Sequence, residues 1–316
     1  MGKHVLPQTP KPMPTPAQLA AATAGMARPF ALAGCRGETA AQNKEPDFGV
    51  HGTPRAVGET LEALRARLQG RELHVFVHGY NLSAQESLRS GHDFFARLQA
   101  ALVRDGVDTA TVDYLLFTWP GDTGTLHFDN AQAYAQHSGV ALFQLLHGLG
   151  ARHVAVTTHS LGAHVALRAA AILGERGFHH RPTNRIDRVL LLGASVEDDV
   201  FERPQRQEEY HFPEAAFGIR QLHISASRAD DVLSGPFRIN ESDAALGMAG
   251  PESMTPLQSL ARRVRELSGG SEDFSFELHD FSPSSATIMN PALHVRSHAD
   301  YWRQAEQLDY YVDRLR

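Results

Sequence analysis

The chain has 316 residues, 42% of them hydrophobic and 21% charged, and a formal net charge of −6 at pH 7. This balance suits a globular chain with one large domain and gives no overall positive field to gather nucleic acid. No apolar run approaches the roughly 20 residues of a membrane span. The single cysteine, Cys35, rules out an intramolecular disulfide and any cysteine-rich metal site.

Residues 1–16 hold Pro7, Pro10, Pro12, Pro14 and Pro16 and few apolar side chains, which predicts an extended or flexible segment. We divide the chain into a Pro/Ala-rich arm over residues 1–50 and a folded domain over 51–316. Alanine-rich Ala17–Met26 suits a short helix. Leu32-Ala33-Gly34-Cys35 has the form of a lipoprotein cleavage box, but Arg28 breaks the apolar stretch that such a signal needs. The expectation is therefore a cytoplasmic protein, with a secreted or lipid-anchored form as the alternative.

Helical and strand patterns then alternate. Val57–Leu68 reads as a helix with Leu61, Leu64 and Leu68 on one face, Leu73–Val77 as a buried strand, and Gln85–Val103 as a helix. Strand Val112–Thr118, helix Asn130–Leu149, strand His153–Thr158 and helix Leu161–Arg176 follow. Ile186–Leu192, Leu222–Ala226 and Phe274–Leu278 read as further strands, and Tyr301–Leu315 as a terminal helix. Gly193–Gly218 and Pro236–Ser253 read as irregular. Strands separated by helical runs imply right-handed βαβ units, hence an α/β fold: a mostly parallel, doubly wound sheet with helices on both faces. Ligands in such sheets sit at the carboxyl ends of the strands.

The residues after the strands carry the chemistry. Strand 153–158 ends in Thr158-His159-Ser160-Leu161-Gly162 and runs at once into a helix. A serine on so tight a strand-to-helix turn is an exposed nucleophile, provided that the residues two before and two after it are small. Gly162 meets that demand better than β-branched Thr158. An N-cap serine is the competing reading. A serine hydroxyl also needs a base, and the base an orienting carboxylate. Asp230, with Asp231 as its rival, follows strand 222–226. His298 is the choice for the base, ahead of His294 and His279. The oxyanion of acyl transfer needs donors, and the N–H groups of Leu161 and Tyr80 are the expected pair, Gly79 allowing close backbone approach. Eighteen scattered histidines show no metal-ligand spacing. His159 and His164, like His179 and His180, read as surface or site-lining side chains. We expect no metal and no cofactor.

Val75-Phe76-Val77-His78-Gly79-Tyr80-Asn81, Phe117-Thr118-Trp119-Pro120, Thr158-His159-Ser160-Leu161-Gly162, Asp230 and His298-Ala299-Asp300-Tyr301-Trp302 together resemble the α/β-hydrolase superfamily, and within it a bacterial branch of poorly characterised esterase/lipase-like serine hydrolases. The resemblance spans residues 56–316. It implies Ser160 as nucleophile, Asp230 as acid, His298 as base, Tyr80 and Leu161 as oxyanion donors, and His78, Gly79, Trp119 and His159 at the substrate. The implied partner is a small-molecule ester or lipid, with no nucleic acid and no membrane span. A lipase or phospholipase acting outside the cytoplasm, and a non-catalytic binding protein on the same fold, are the alternatives.

Overall fold

The computed structural model describes residues 12–36, 54–124, 127–177, 185–203, 210–237, 244–285 and 290–315. Side-chain caps set the early helix starts. Thr15 and Gln18 form a capping box at α1 (Pro16–Thr23). After strands β1 (Ala31–Gly34) and β2 (Arg55–Ala56), Thr60 caps α2 (Leu61–Leu68) by accepting from the Ala63 N–H. β3 (Glu72–Val77) leads to α3 (Ala84–Arg104), opened by a Ser83–Glu86 capping box. β4 (Val112–Thr118), α4 (Phe128–Leu149), β5 (His153–His159), α5 (Gly162–Gly177), β6 (Ile186–Leu192) and β7 (Ile219–Ala226) continue the alternation. α6 (Thr255–Leu267), β8 (Ser275–Asp280) and α7 (Ala305–Leu315) complete it.

The strands form one sheet in the order β2-β1-β4-β3-β5-β6-β7-β8. Every pairing is parallel except that of β1 with β2. Strand alternation sends side chains to two cores. Val75 and Val77 pack with Leu64, Leu142, Leu145 and Val165 from α2, α4 and α5. Phe76 points the other way, onto Phe94, Phe95, Leu308 and Val312 from α3 and α7. Each such buried side chain contributes about 1.5–3 kcal/mol relative to exposure. This places α/β layers on both sheet faces, as the periodicity predicts. No helix of the described residues is long and apolar enough to cross a membrane.

The division at residue 50 needs correction. β1 lies inside the expected arm, yet it pairs in parallel with Leu115–Thr118 of β4, and all four of its residues are buried. Cys35 is buried too, with its Sγ 3.3 Å from Ser138 Oγ, so the would-be cleavage box is part of the sheet. Four residues, three of them small, are too short for a strand period to register. Residues 37–53 lie outside the described residues, as do 1–11. Other elements also escaped the periodicity: two-residue β2, the short helices Ala215–Gly218 and Leu246–Ala249 inside the stretches read as irregular, and α6, whose buried face is only Leu257 and Val264. α2 starts at Leu61 rather than Val57. α7 starts at Ala305, which leaves Tyr301 and Trp302 in the preceding turn.

Candidate active site

The site is assembled where β3, β5, β6, β7 and β8 end. β5 stops at His159 and α5 begins at Gly162, so only Ser160 and Leu161 turn the chain, and Ser160 does so at φ +54°. A non-glycine residue there is strained by about 1–2 kcal/mol. The strain is held by a hydrogen bond from the Ser160 N–H to the Leu192 carbonyl of β6, at 3.0 Å. Close approach dictates two glycines. A Cβ on Gly162 would fall 2.6 Å from the Val77 carbonyl oxygen, and one on Gly79 would fall 2.9 Å from the Ser160 Cβ. Thr158 is tolerated at the other tight position, where it is fully buried and its hydroxyl has no hydrogen-bond partner among the described residues.

Leu161 and Tyr80 flank these close approaches, Leu161 between Ser160 and Gly162 and Tyr80 just after Gly79. Among the described residues, neither N–H is used in a backbone hydrogen bond. The loop that carries Tyr80 is built from below. His78 is fully buried, its Nδ1–H donating to the Gly79 carbonyl (2.8 Å) and its Nε2 accepting from the Trp119 N–H (3.2 Å). The Trp119 indole N–H donates to the His78 carbonyl at 2.8 Å, and the two rings stack. His78 and Trp119, expected at the substrate, are both fully buried and support this loop.

Arg36 completes this support, and sequence reasoning missed it because it sits in the segment read as an arm. Its guanidinium is 1% exposed and donates to Thr118 Oγ1 (2.8 Å), Asp122 Oδ1 (2.9 Å) and the Leu82 carbonyl (2.6 Å).

Asp230 follows β7 and is fully buried. Its Oδ1 accepts from the N–H groups of Val232 (3.1 Å) and Leu233 (3.0 Å). Its Oδ2 accepts from His298 Nδ1 at 2.8 Å and from the Tyr301 hydroxyl at 3.2 Å. Burial pushes this carboxyl up, but the His298 contact, the Leu233 N–H and Tyr301 outweigh it and hold the group below the usual aspartate range. Tyr301 is pushed well above its ordinary value, by burial and then by Asp230, and so stays a donor. Asp231 meets His298 differently: its Oδ1 accepts the His298 backbone N–H at 3.0 Å. The ring is therefore oriented by Asp230 and the main chain by Asp231. His279 lies on β8 against His223 and Tyr310, and His294 ends the turn Pro291–Leu293.

His159 Nε2–H donates to the His298 carbonyl at 2.8 Å, and its ring lies 4.6 Å from that of His298. His164 is buried between Tyr210 and Phe212 rather than at the surface. His179 and His180 lie outside the described residues. The Ser160 hydroxyl is bonded to Ser195 Oγ at 2.9 Å, and no hydrogen bond joins it to His298. Ser195, after β6, is a second residue that no sequence signal marked.

Among the described residues, two clusters have metal-ligand chemistry: His223, Glu277 and His279, and Glu197, Asp199 and His211. In the first, the two rings are nearly coplanar and meet nitrogen to nitrogen at 3.3 Å, the arrangement of one imidazole donating to the other.

Residues 57–267 match the family described as alpha/beta hydrolase of unknown function (DUF900). The chain belongs to this α/β-hydrolase family. No curated protein matches the sequence. Among solved structures, an esterase B from Lactobacillus rhamnosis is 13% identical, with a TM-score of 0.40 over 78% of this chain and 75% of that one. Lipase B of Aspergillus fumigatus is 14% identical, with a TM-score of 0.43 over 87% of this chain and 61% of that one.

The hydrolase fold carries an acid liability. Burial, ahead of neighbouring charges, lowers His78, His159 and His279 to about 3 and His223 to about 4. In the unfolded chain each titrates near its ordinary value of about 6.5. Below that value the unfolded chain takes up protons that the folded chain refuses. Stability is then full above about pH 6.5 and falls as pH drops toward about 4, at no more than about 5 kcal/mol per pH unit for four such groups. Urea unfolding between about pH 7 and pH 4.5 measures this; a flat profile would contradict it.

Proposed function

We propose that the protein is a serine hydrolase that cleaves a carboxylic ester through an acyl-enzyme on Ser160, with Asp230 as the acid and His298 as the base. The observation that carries this reading is the 2.8 Å contact between Asp230 Oδ2 and His298 Nδ1 beside a serine at φ +54° on a strand-to-helix turn. With Nδ1–H given to Asp230, the lone pair of His298 is on Nε2, the nitrogen that a general base uses.

Ser160 Oγ attacks the acyl carbonyl carbon, the carbonyl π pair moves to oxygen, and the Ser160 proton passes to His298 Nε2. The Tyr80 and Leu161 N–H groups stabilise the oxyanion, aided by the positive end of the α5 dipole. Collapse expels the alcohol, which takes the proton from His298. Water, activated by the same nitrogen, then attacks the acyl-enzyme, and Ser160 leaves and regains its proton. Asp230 holds the ring and balances its positive charge without taking the proton itself.

Labelling with a fluorophosphonate probe tests the reading. Wild type is expected to be labelled stoichiometrically and Ser160→Ala not at all. Cleavage of a p-nitrophenyl ester should be lost together with the label in Ser160→Ala. An unlabelled, folded wild type would reduce the chain to a binding protein on a hydrolase fold.

A further inference from the structure

Ser195 has no part in the triad, yet its hydroxyl touches the atom that would do the chemistry. Ser160 Oγ and Ser195 Oγ lie 2.9 Å apart. Both residues are buried, at 5% and 3% exposure, so water does not readily replace either partner. Ser195 Oγ makes no other hydrogen bond among the described residues. The segment that presents it is clamped on both sides. The Gly193 N–H donates to the Ser225 carbonyl at 3.2 Å, the Ala194 carbonyl accepts from the Gly247 N–H at 3.0 Å, and the Val196 carbonyl accepts from the Leu246 N–H at 2.8 Å. The Tyr301 hydroxyl, which reaches Asp230, also reaches the Gly247 carbonyl at 3.2 Å. One bonded framework thus fixes Ser195 relative to Asp230 and His298.

Resting on the serine-hydrolase reading, we propose that Ser195 is a second hydroxyl of the reaction centre, donating its O–H to Ser160 Oγ. The direction of donation follows from the part proposed for Ser160. Each hydroxyl has one proton. If Ser160 donated, its proton would be turned away from His298. If Ser195 donates, the Ser160 rotamer is selected and the Ser160 proton remains free for the base. The bond also acts when the acyl-enzyme breaks. Oγ then leaves with the electron pair of the C–Oγ bond before His298 returns its proton, and a donor aimed at Oγ stabilises that charge. Ser195 keeps its own proton throughout.

The test compares Ser195→Ala, Ser195→Cys and Ser195→Thr with wild type. It measures the second-order rate of fluorophosphonate labelling, and kcat and KM for p-nitrophenyl butyrate, with melting temperatures to confirm folding. Loss of a hydrogen bond to a group that becomes charged is expected to slow labelling and kcat by about 10- to 100-fold, with KM little changed. Cysteine is nearly the size of serine but a weak donor, so Ser195→Cys should be as slow as Ser195→Ala. Ser195→Thr restores the hydroxyl and should recover most of the rate. A folded Ser195→Ala that labels as fast as wild type, or faster, overturns the proposal. So do rates that follow side-chain volume rather than donor strength. A wild type that does not label at all fails the hydrolase reading itself, which is a different result from a labelled wild type indifferent to Ser195.

Discussion

Asp230→Asn is expected to lower kcat for an aryl ester by about 10⁴-fold while the protein stays folded. The fold survives because an amide oxygen can still accept from the N–H groups of Val232 and Leu233, as Oδ1 does now. The chemistry does not survive, because the other half of the side chain becomes an NH₂ facing His298 Nδ1. The imidazole then favours the tautomer with its proton on Nε2 and cannot take one from Ser160. The buried negative charge that balances the imidazolium is lost as well. Asp231→Asn is the control. Among the described residues Asp231 accepts only the His298 backbone N–H, a bond that asparagine keeps, so its effect should be far smaller. Steady-state kinetics alongside circular dichroism would decide. Equal losses in the two variants, or a greater loss in Asp231→Asn, would remove Asp230 from the proposed role.

Arg36→Met is expected to destabilise the fold by about 3–5 kcal/mol, the range for breaking a buried ion pair from one side. Asp122, the Leu82 carbonyl and Thr118 Oγ1 would each lose a donor in a space that water reaches poorly. Burial lowers the Arg36 pKa, and Asp122 opposes that shift and keeps the guanidinium paired. Deleting residues 1–36 should be worse, since it also removes β1 and bares the β4 edge at Leu115–Thr118, an apolar strand edge open to aggregation. Urea unfolding of Arg36→Met and soluble yield of the truncation measure the two effects. A truncation that expressed as a soluble, folded chain would show that β1 is dispensable. Because Arg36 braces the loop between His78 and Leu82, the methionine variant should also lose part of its kcat at temperatures where it remains folded.

The elements legible in the sequence are those whose information is local. Phe94, Phe95 and Leu98 repeat with a helical period along α3, and Ser83 with Glu86 marks its start. Val154–Thr158 reads as a strand because four of its five residues, all but Ala155, are β-branched. The tight turn at Ser160 follows from a strand and a helix separated by only two residues. β1 was illegible because Ala31–Gly34 has neither length nor period. It is a strand because β4 lies beside it, not because of any preference of its own.

The α/β architecture therefore follows from sequence alone, since it depends on periodicity, whereas Ser160, Asp230 and His298 were candidates drawn from which residues come after which strands and from the family resemblance, with Asp231, His294 and His279 beside them. Tertiary structure decided the rest. It turned Asp230 toward the His298 ring and Asp231 toward its main chain, across 68 and 67 residues. It buried His78 and Trp119 beneath the loop that carries Tyr80, brought Arg36 to Thr118 across 82 residues, and set Ser195 against Ser160 across 35. Side-chain direction at a strand end is set by packing against neighbouring elements that are distant in sequence, and no local pattern of residue types encodes it.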